Sequence, residues 1–341
     1  MKENQFRNKI YWFTFVFSVL VIWVHSFNSE LFLGKTPANI RISRMEYWLG
    51  GTVAQVAVPG FFMISAYLFY RNFTWDRLWP KWSSRIRSIL IPFILWNSIY
   101  YLGYLIASRI PYLSDVVGRG TVPYSLSGLT EAILHYTYNP VFWYLYQLIM
   151  LILTAPVLYT LLKNRLTAIL TLAVMACALF ANRSLSPLNL DALFYYSVSA
   201  CGAIHGRRIA EGPWNRWKGG AGAALLLGCI LCYAWPLLPA RPFYTVLFRL
   251  LVPIALWLIV SEAWLPDARS WMKDNFFLYA VHFALVRLVN KAGAMILPHA
   301  PAVPLILYLL MPLMVIPIST AGSRILKRFL PRLWILLNGC R

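Results

Sequence analysis

The sequence predicts an all-α, polytopic membrane helical bundle of about ten transmembrane helices, with both termini cytoplasmic. Three observations predict it. Of 341 residues, 60% are hydrophobic and only 12% charged, whereas soluble domains carry about a quarter charged residues. The apolar residues fall in runs near the roughly 20 residues a helix needs to cross a bilayer. The basic residues are concentrated in alternate loops. This hydrophobicity excludes disorder. A formal charge of +20 on a chain this apolar indicates the basic loops of a membrane protein rather than a nucleic-acid surface. Ten spans use roughly 200 residues, so 1–341 reads as a single integral membrane domain.

The first run, 10–33, is longer than a signal-peptide core and lacks a small-residue cleavage site, so it is expected to stay as a span. The second, 48–70, carries Pro59-Gly60, the strongest expected helix interruption. The third, 88–108, follows a dense basic stretch and contains Pro92. The connection 109–141 is rich in Gly, Pro, Ser and Tyr. Then come 142–162 with Pro156, the short runs 166–181 and 190–205, and 220–238. The last three are 243–261 with Pro253, 275–297, and 302–323 with Pro312 and Pro317. A proline inside a span frees a carbonyl, which is tolerated where helices pack or where a wet cavity exists. Four of the five cysteines (Cys177, Cys201, Cys229, Cys232, Cys340) lie in apolar stretches, and no disulfide framework is expected. Cys229-x-x-Cys232 sits inside an apolar run and reads as coincidence rather than a redox or zinc site.

Charge sets the orientation. With the N-terminus cytoplasmic, 21 of the 31 Lys and Arg fall on inner segments, 7 on outer segments, and Arg249, Arg287 and Lys291 within spans. That threefold bias alternates loop by loop, as the positive-inside rule requires.

Ionisable groups at membrane depth are costly and tend to mark function. His25 lies about 22 Å along the first run, in its outer half, and an imidazole can act as a general base near neutral pH. The alternative is a histidine hydrogen-bonded to a neighbouring helix. Arg249, Arg287 and Lys291 have no carboxylate at the centre of any span, the nearest outer-side acids being Glu30 and Asp191. They need a wet cavity, carbonyl partners, snorkelling or an anionic ligand. Arg85 and Arg87, with Arg71, Arg77 and Lys81, form a basic inner patch. It suits anionic lipid or the phosphates of a cytosolic cofactor. His25-x4-Glu30 does not place both residues on one helical face, unless the helix ends near residue 28. His135, His205 and His299 have no evident partner. No Gly-rich phosphate loop, metal-binding spacing or nucleophile-elbow motif occurs.

Four segments resemble the membrane-embedded acyltransferase-3 family. They are Val21-Ile22-Trp23-Val24-His25-Ser26, the stretch Pro59-Gly60-Phe61-Phe62-Met63-Ile64-Ser65-Ala66-Tyr67-Leu68, Arg85-Ile86-Arg87 leading to Pro92, and Asn139-Pro140-Val141-Phe142-Trp143-Tyr144-Leu145. Tyr279-Ala280-Val281-His282 is a fifth, weaker match. The family usually has an arginine where Thr14 stands, and a glycine at Ala66.

The resemblance implies an O-acyltransferase that moves an acetyl or other short acyl group from cytosolic acyl-CoA to a hydroxyl of an envelope glycan. It implies His25 as the catalytic base and Arg85 and Arg87 on the donor's phosphates. Ser65, Tyr67, Trp143 and Gln147 would line the acyl channel. Arg249, His282 and Arg287 would be further substrate contacts, Arg287 near developing oxyanion charge. It implies acyl-CoA as a substrate rather than a resident cofactor, no metal, no nucleic acid, and a bacterial plasma-membrane location. Two other readings stay open: a transporter or flippase for a glycan or lipid precursor, and a weakened family member serving as a membrane sensor.

Overall fold

The computed structural model describes residues 1–111, 120–234 and 242–339. Arg119, Arg241, Arg341, Cys340 and the end of the run 220–238 lie outside the described residues. No strand occurs among the described residues. Helices suit hydrocarbon because they pair every backbone group within the segment.

The first apolar run holds α1 (Glu3–His25) and α2 (Ser29–Leu33), so it is broken rather than continuous. After α3 (Pro37–Glu46), a π-turn at Tyr47–Val53 and a 3-10 turn at Ala54–Val56 lead into α4 (Ala57–Tyr70). Next are α5 (Leu78–Arg85), a π-turn at Ile86–Leu90 and α6 (Ile91–Ala107). The long connection contains α7 (Leu126–Leu134). The fourth run is α8 (Trp143–Leu153) and α9 (Ala155–Leu162). Then follow α10 (Arg165–Phe180), α11 (Leu190–His205), the short α12 (Arg207–Glu211) and α13 (Arg216–Ala234). The chain continues with α14 (Pro242–Ile259), α15 (Ser270–Lys273), α16 (Asn275–Ile296), α17 (Ala302–Phe329) and α18 (Pro331–Leu337).

The described part of each expected span is therefore mainly helical. Among the described residues, four stretches are long and apolar enough to cross a membrane: Glu3–Leu33, Pro37–Tyr70, Trp75–Ala107 and Ala302–Phe329. A bent pair, Pro140–Leu153 with Ala155–Leu162, makes a fifth. Two of the other five runs are short helices. With 16 residues each, α10 and α11 are about 24 Å long, less than the ~30 Å of a hydrocarbon core.

The chain forms two compact units, Met1–Val24 with Arg44–Leu78 and Met150–Asn275, and His25–Ser43 with Trp79–Ile149 and Phe276–Arg341. In the first, α4 packs on α11 and α14, and α13 on α14. Phe13, Phe17, Val21 and Ala57 form a buried cluster. Pro59-Gly60 does not interrupt the helix as expected. Pro59 sits in the first turn of α4, where a missing N–H costs nothing. Gly60 instead admits Phe17, whose ring lies 2.3 Å from where a Cβ would be. The irregular backbone lies earlier, over residues 47–56.

Charge closes one end of this unit. Arg71 binds Glu3 at 2.7 Å and Glu211 at 2.8 Å. Glu211 also accepts from Tyr67 Oη at 2.8 Å and Arg207 Nε at 3.0 Å. Burial pushes the Glu211 carboxyl up, but these hydrogen bonds outweigh it and hold the group below the ordinary carboxylate range. Lys9, just ahead of the first apolar run, is buried in α1, and its Nζ donates to the carbonyls of Trp257 and Val260 at 2.8 and 2.7 Å.

In the second unit, α6 packs on α7 and α18. Trp96 Nε1 donates to the Leu337 carbonyl at 3.0 Å, and Phe277 meets Trp334 at 5.3 Å. Tyr101, Val122 and Ala132 form a small core between α6 and the long connection.

Two outcomes follow. Gly60→Ala should lower the unfolding temperature in detergent, with a stability loss of about 1–3 kcal/mol from overpacking against Phe17; Gly60→Ala with Phe17→Leu should recover part of it. Because the folded Glu211 carboxyl lies low, its contribution is fully present above the ordinary carboxylate pKa of about 4.3 and is lost as pH falls through its folded value. Thermal unfolding followed from pH 7 to pH 3 should show this loss in the wild type and much less of it in Glu211→Gln.

Candidate active site

The break after α1 decides where His25 sits. α1 ends at His25, and Ser26 and Asn28 are buried in the turn that follows. Buried polar groups in an apolar setting need partners, and α16 supplies them. Asn28 Nδ2 donates to Asn290 Oδ1 at 3.0 Å, and Asn290 Nδ2 donates to the Ser26 carbonyl at 3.3 Å. His25 is thus a helix-terminal residue, not a mid-span one. Glu30 opens α2 and is exposed. The helix end that would have freed the H-x4-E pair from helical geometry is present, but Glu30 faces outward.

The His25 ring is half-buried and lies 5.3 Å, centroid to centroid, from the ring of His282 on α16. It also meets Phe283 edge-on at 5.3 Å. His282 is buried, with Nδ1 2.6 Å from the Tyr279 carbonyl. A carbonyl only accepts, so Nδ1 carries the proton. In the neutral ring Nε2 then presents a lone pair, and it has no hydrogen-bond partner among the described residues.

Contacts through Tyr279, Tyr100 and Arg287 hold this part of α16. Tyr279 Oη donates to the Val141 carbonyl at 2.6 Å, and the Tyr279 ring stacks on Phe142 at 5.5 Å. Tyr100 Oη on α6 donates to the Ala280 carbonyl at 2.8 Å. Arg287 Nη1 donates to Tyr104 Oη at 2.9 Å, and its guanidinium lies 5.8 Å from the Phe283 ring. His25, His282 and Arg287 therefore gather around Phe283. An imidazole pair with one buried lone pair can move a proton, and the nearby guanidinium can steady negative charge.

Trp143 is half-buried and Gln147 buried, one turn apart on α8 in the same unit. Arg85 ends α5 half-buried, while Arg87 lies exposed in the π-turn. Ser65 and Tyr67 lie on α4 in the first unit, and the Tyr67 hydroxyl is taken by Glu211. Arg249 lies on α14 in the first unit, where Asp191 of α11, one of the two nearest outer-side acids in the sequence reading, is close enough to feel its charge. The three loop histidines do have partners. His205 Nε2 lies 2.8 Å from the Leu162 carbonyl, His299 Nε2 2.8 Å from the Ala294 carbonyl, and His135 3.7 Å from Glu131.

Residue-by-residue reading passed over Asn290, Asn28 and Tyr104. A signal existed for Asn290: Phe283, Arg287 and Asn290 recur at i, i+4 and i+7, one helical face carrying two polar groups through an apolar run. Glu46, at the end of α3, is also wholly buried, and nothing in its local sequence marks it.

Comparison with known proteins places this chain in a family. The acyltransferase-3 family model, described as an acyltransferase domain, matches residues 10–327. The chain belongs to that family and is a membrane acyltransferase. It is 23% identical over 317 residues to the succinoglycan biosynthesis protein ExoH of Rhizobium meliloti (strain 1021), covering 87% of this chain and 82% of the relative. No solved structure matches.

Asn290→Leu should leave the Asn28 amide and the Ser26 carbonyl without their partner, costing about 1–3 kcal/mol. It should lower acyl transfer by more than tenfold, because a small displacement of a catalytic group has large kinetic consequences. Transfer assays and melting curves on the same purified samples check both.

Proposed function

We propose that this acyltransferase moves a short acyl group from cytosolic acyl-CoA to a hydroxyl of an envelope glycan, with His25 as the general base. The observation that carries this reading is the His25–His282 ring pair at the end of α1. His25 is half-buried and reachable, whereas His282 is buried behind it. With Nδ1 of His282 committed to the Tyr279 carbonyl, its Nε2 lone pair is left without a partner among the described residues; a small shift that lets it accept the His25 N–H would leave the other His25 nitrogen as the base.

The chemistry balances through these groups. His25 takes the proton of the acceptor hydroxyl as its oxygen attacks the thioester carbonyl carbon. Arg287, oriented by Tyr104, faces the negative charge that develops on the carbonyl oxygen. The C–S bond then breaks, and the proton passes from His25 to the departing CoA sulfur. Arg85 and Arg87 would hold the CoA phosphates. Trp143 and Gln147, sharing a face of α8, would flank the acyl group.

A glycan acceptor is supported by the relative's place in succinoglycan biosynthesis. The alternating basic loops support ten crossings of a bacterial plasma membrane with both termini cytoplasmic.

Purified protein incubated with radiolabelled acyl-CoA and envelope glycan should yield labelled glycan. His25→Ala should reduce this by 10²–10⁴-fold while the protein still inserts in membranes. Arg85→Ala and Arg87→Ala should raise the KM for acyl-CoA more than they lower kcat. Full transfer by His25→Ala would reject the mechanism, and substrate movement across liposomes without acylated product would favour a transporter.

A further inference from the structure

The first unit contains a half-enclosed cavity of about 280 Å³, close to twice the ~150 Å³ of an engineered cavity that takes up benzene. Its walls include Phe13 and Phe17 of α1, Gly60 and Met63 of α4, Gly202 of α11 and Trp257 of α14. The polar side-chain atoms on the wall are already bonded. Ser199 Oγ donates to the Met63 carbonyl, Trp257 Nε1 to the Ala210 carbonyl, and Tyr67 Oη to Glu211. What remains is a hydrocarbon-like surface.

The glycines on this wall differ in kind. Gly60 is required by Phe17, and a Cβ on Gly206 would press the Gly202 carbonyl at 3.2 Å. Gly202 has nothing within 4 Å of the position its Cβ would occupy. Glycine is a poor helix former, and no close packing demands it there. Its effect is to leave the cavity wide.

One end of the cavity is charged. Ile209, Ala210, Trp257 and Leu258 are shared with a small polar recess bordered by Lys9, Lys218 and Glu262. Tyr67 links the wall to the Arg71–Glu211 network. Around this end stand five cations, Arg7, Lys9, Arg71, Arg207 and Lys218, against three carboxylates, Glu3, Glu211 and Glu262.

We infer that this cavity seats an acyl chain of an anionic membrane phospholipid, with the headgroup at the basic end. An apolar slot closed by a net positive rim complements that amphiphile. The site lies wholly within the first unit and does not depend on the His25 mechanism.

Phosphatidylglycerol carrying brominated acyl chains tests this on the full-length protein in detergent. The difference in quenching between wild type and Trp257→Phe isolates the tryptophan on the wall. Brominated phosphatidylglycerol should quench it, and brominated phosphatidylcholine should need about tenfold higher concentration. Gly202→Leu should abolish this component, whereas Gly202→Ala, which adds one methyl, should keep most of it and melt near the wild-type temperature. No quenching of Trp257 in the wild type overturns the proposal, as does equal quenching by both lipids or undiminished quenching in a folded Gly202→Leu. Displacement of the labelled lipid by long-chain acyl-CoA at lower concentration than by unlabelled phosphatidylglycerol also overturns it, and assigns the cavity to the acyl donor.

Discussion

The pairing of Asn290 with the broken end of α1 is the interaction on which the candidate site depends. A helix that stops among apolar side chains leaves carbonyls and polar side chains with no water to satisfy them. At 26–28 the chain meets that demand with one amide from α16, which accepts from Asn28 and donates to the Ser26 carbonyl. Because α1 stops at His25, the imidazole stands at a helix end and not along a lipid-facing helix. The same α16 face then brings Phe283 and Arg287 to it.

The first unit meets the same constraint with charge. Lys9 spends two of its three donors on the carbonyls of Trp257 and Val260 near the end of α14, where helix carbonyls carry partial negative charge. Arg71 holds two carboxylates at once, and Glu211 gathers three donors. These are neighbouring groups brought together by tertiary packing, since Tyr67 and Glu211 are 144 positions apart. Thr14, standing where relatives of the family are expected to carry arginine, accepts from Asn275 Nδ2 at 2.9 Å. A neutral hydrogen bond thus occupies that position in this chain.

Much of the helical layout was legible in the sequence. Long apolar runs name their own helices, and Pro92 and Pro156 sit at helix starts as their missing N–H allows. The site was legible only in part. His25 and Arg287 stood out because titratable groups are rare in apolar runs, and His282 through its weak motif match. Their association did not, because two residues 257 positions apart, as His25 and His282 are, carry no local signal of contact. Pro59-Gly60 was misread for a related reason: a Pro-Gly pair looks like a break, yet the glycine answers to a ring, Phe17, on another helix.

Composition, periodicity and charge alternation by themselves determined that this chain is helical, membrane-bound and basic on alternate segments, because those properties are sums over local residues and their transfer to lipid. The motifs along the chain marked its family. Tertiary structure alone decided that α1 ends at His25, that the buried His282 ring lies beside it, that Lys9 is buried, and that Gly202 borders open space. Each of these depends on which distant side chain fills or satisfies a given position, and hydrogen bonding and close packing at that range are not written into any local stretch of residues.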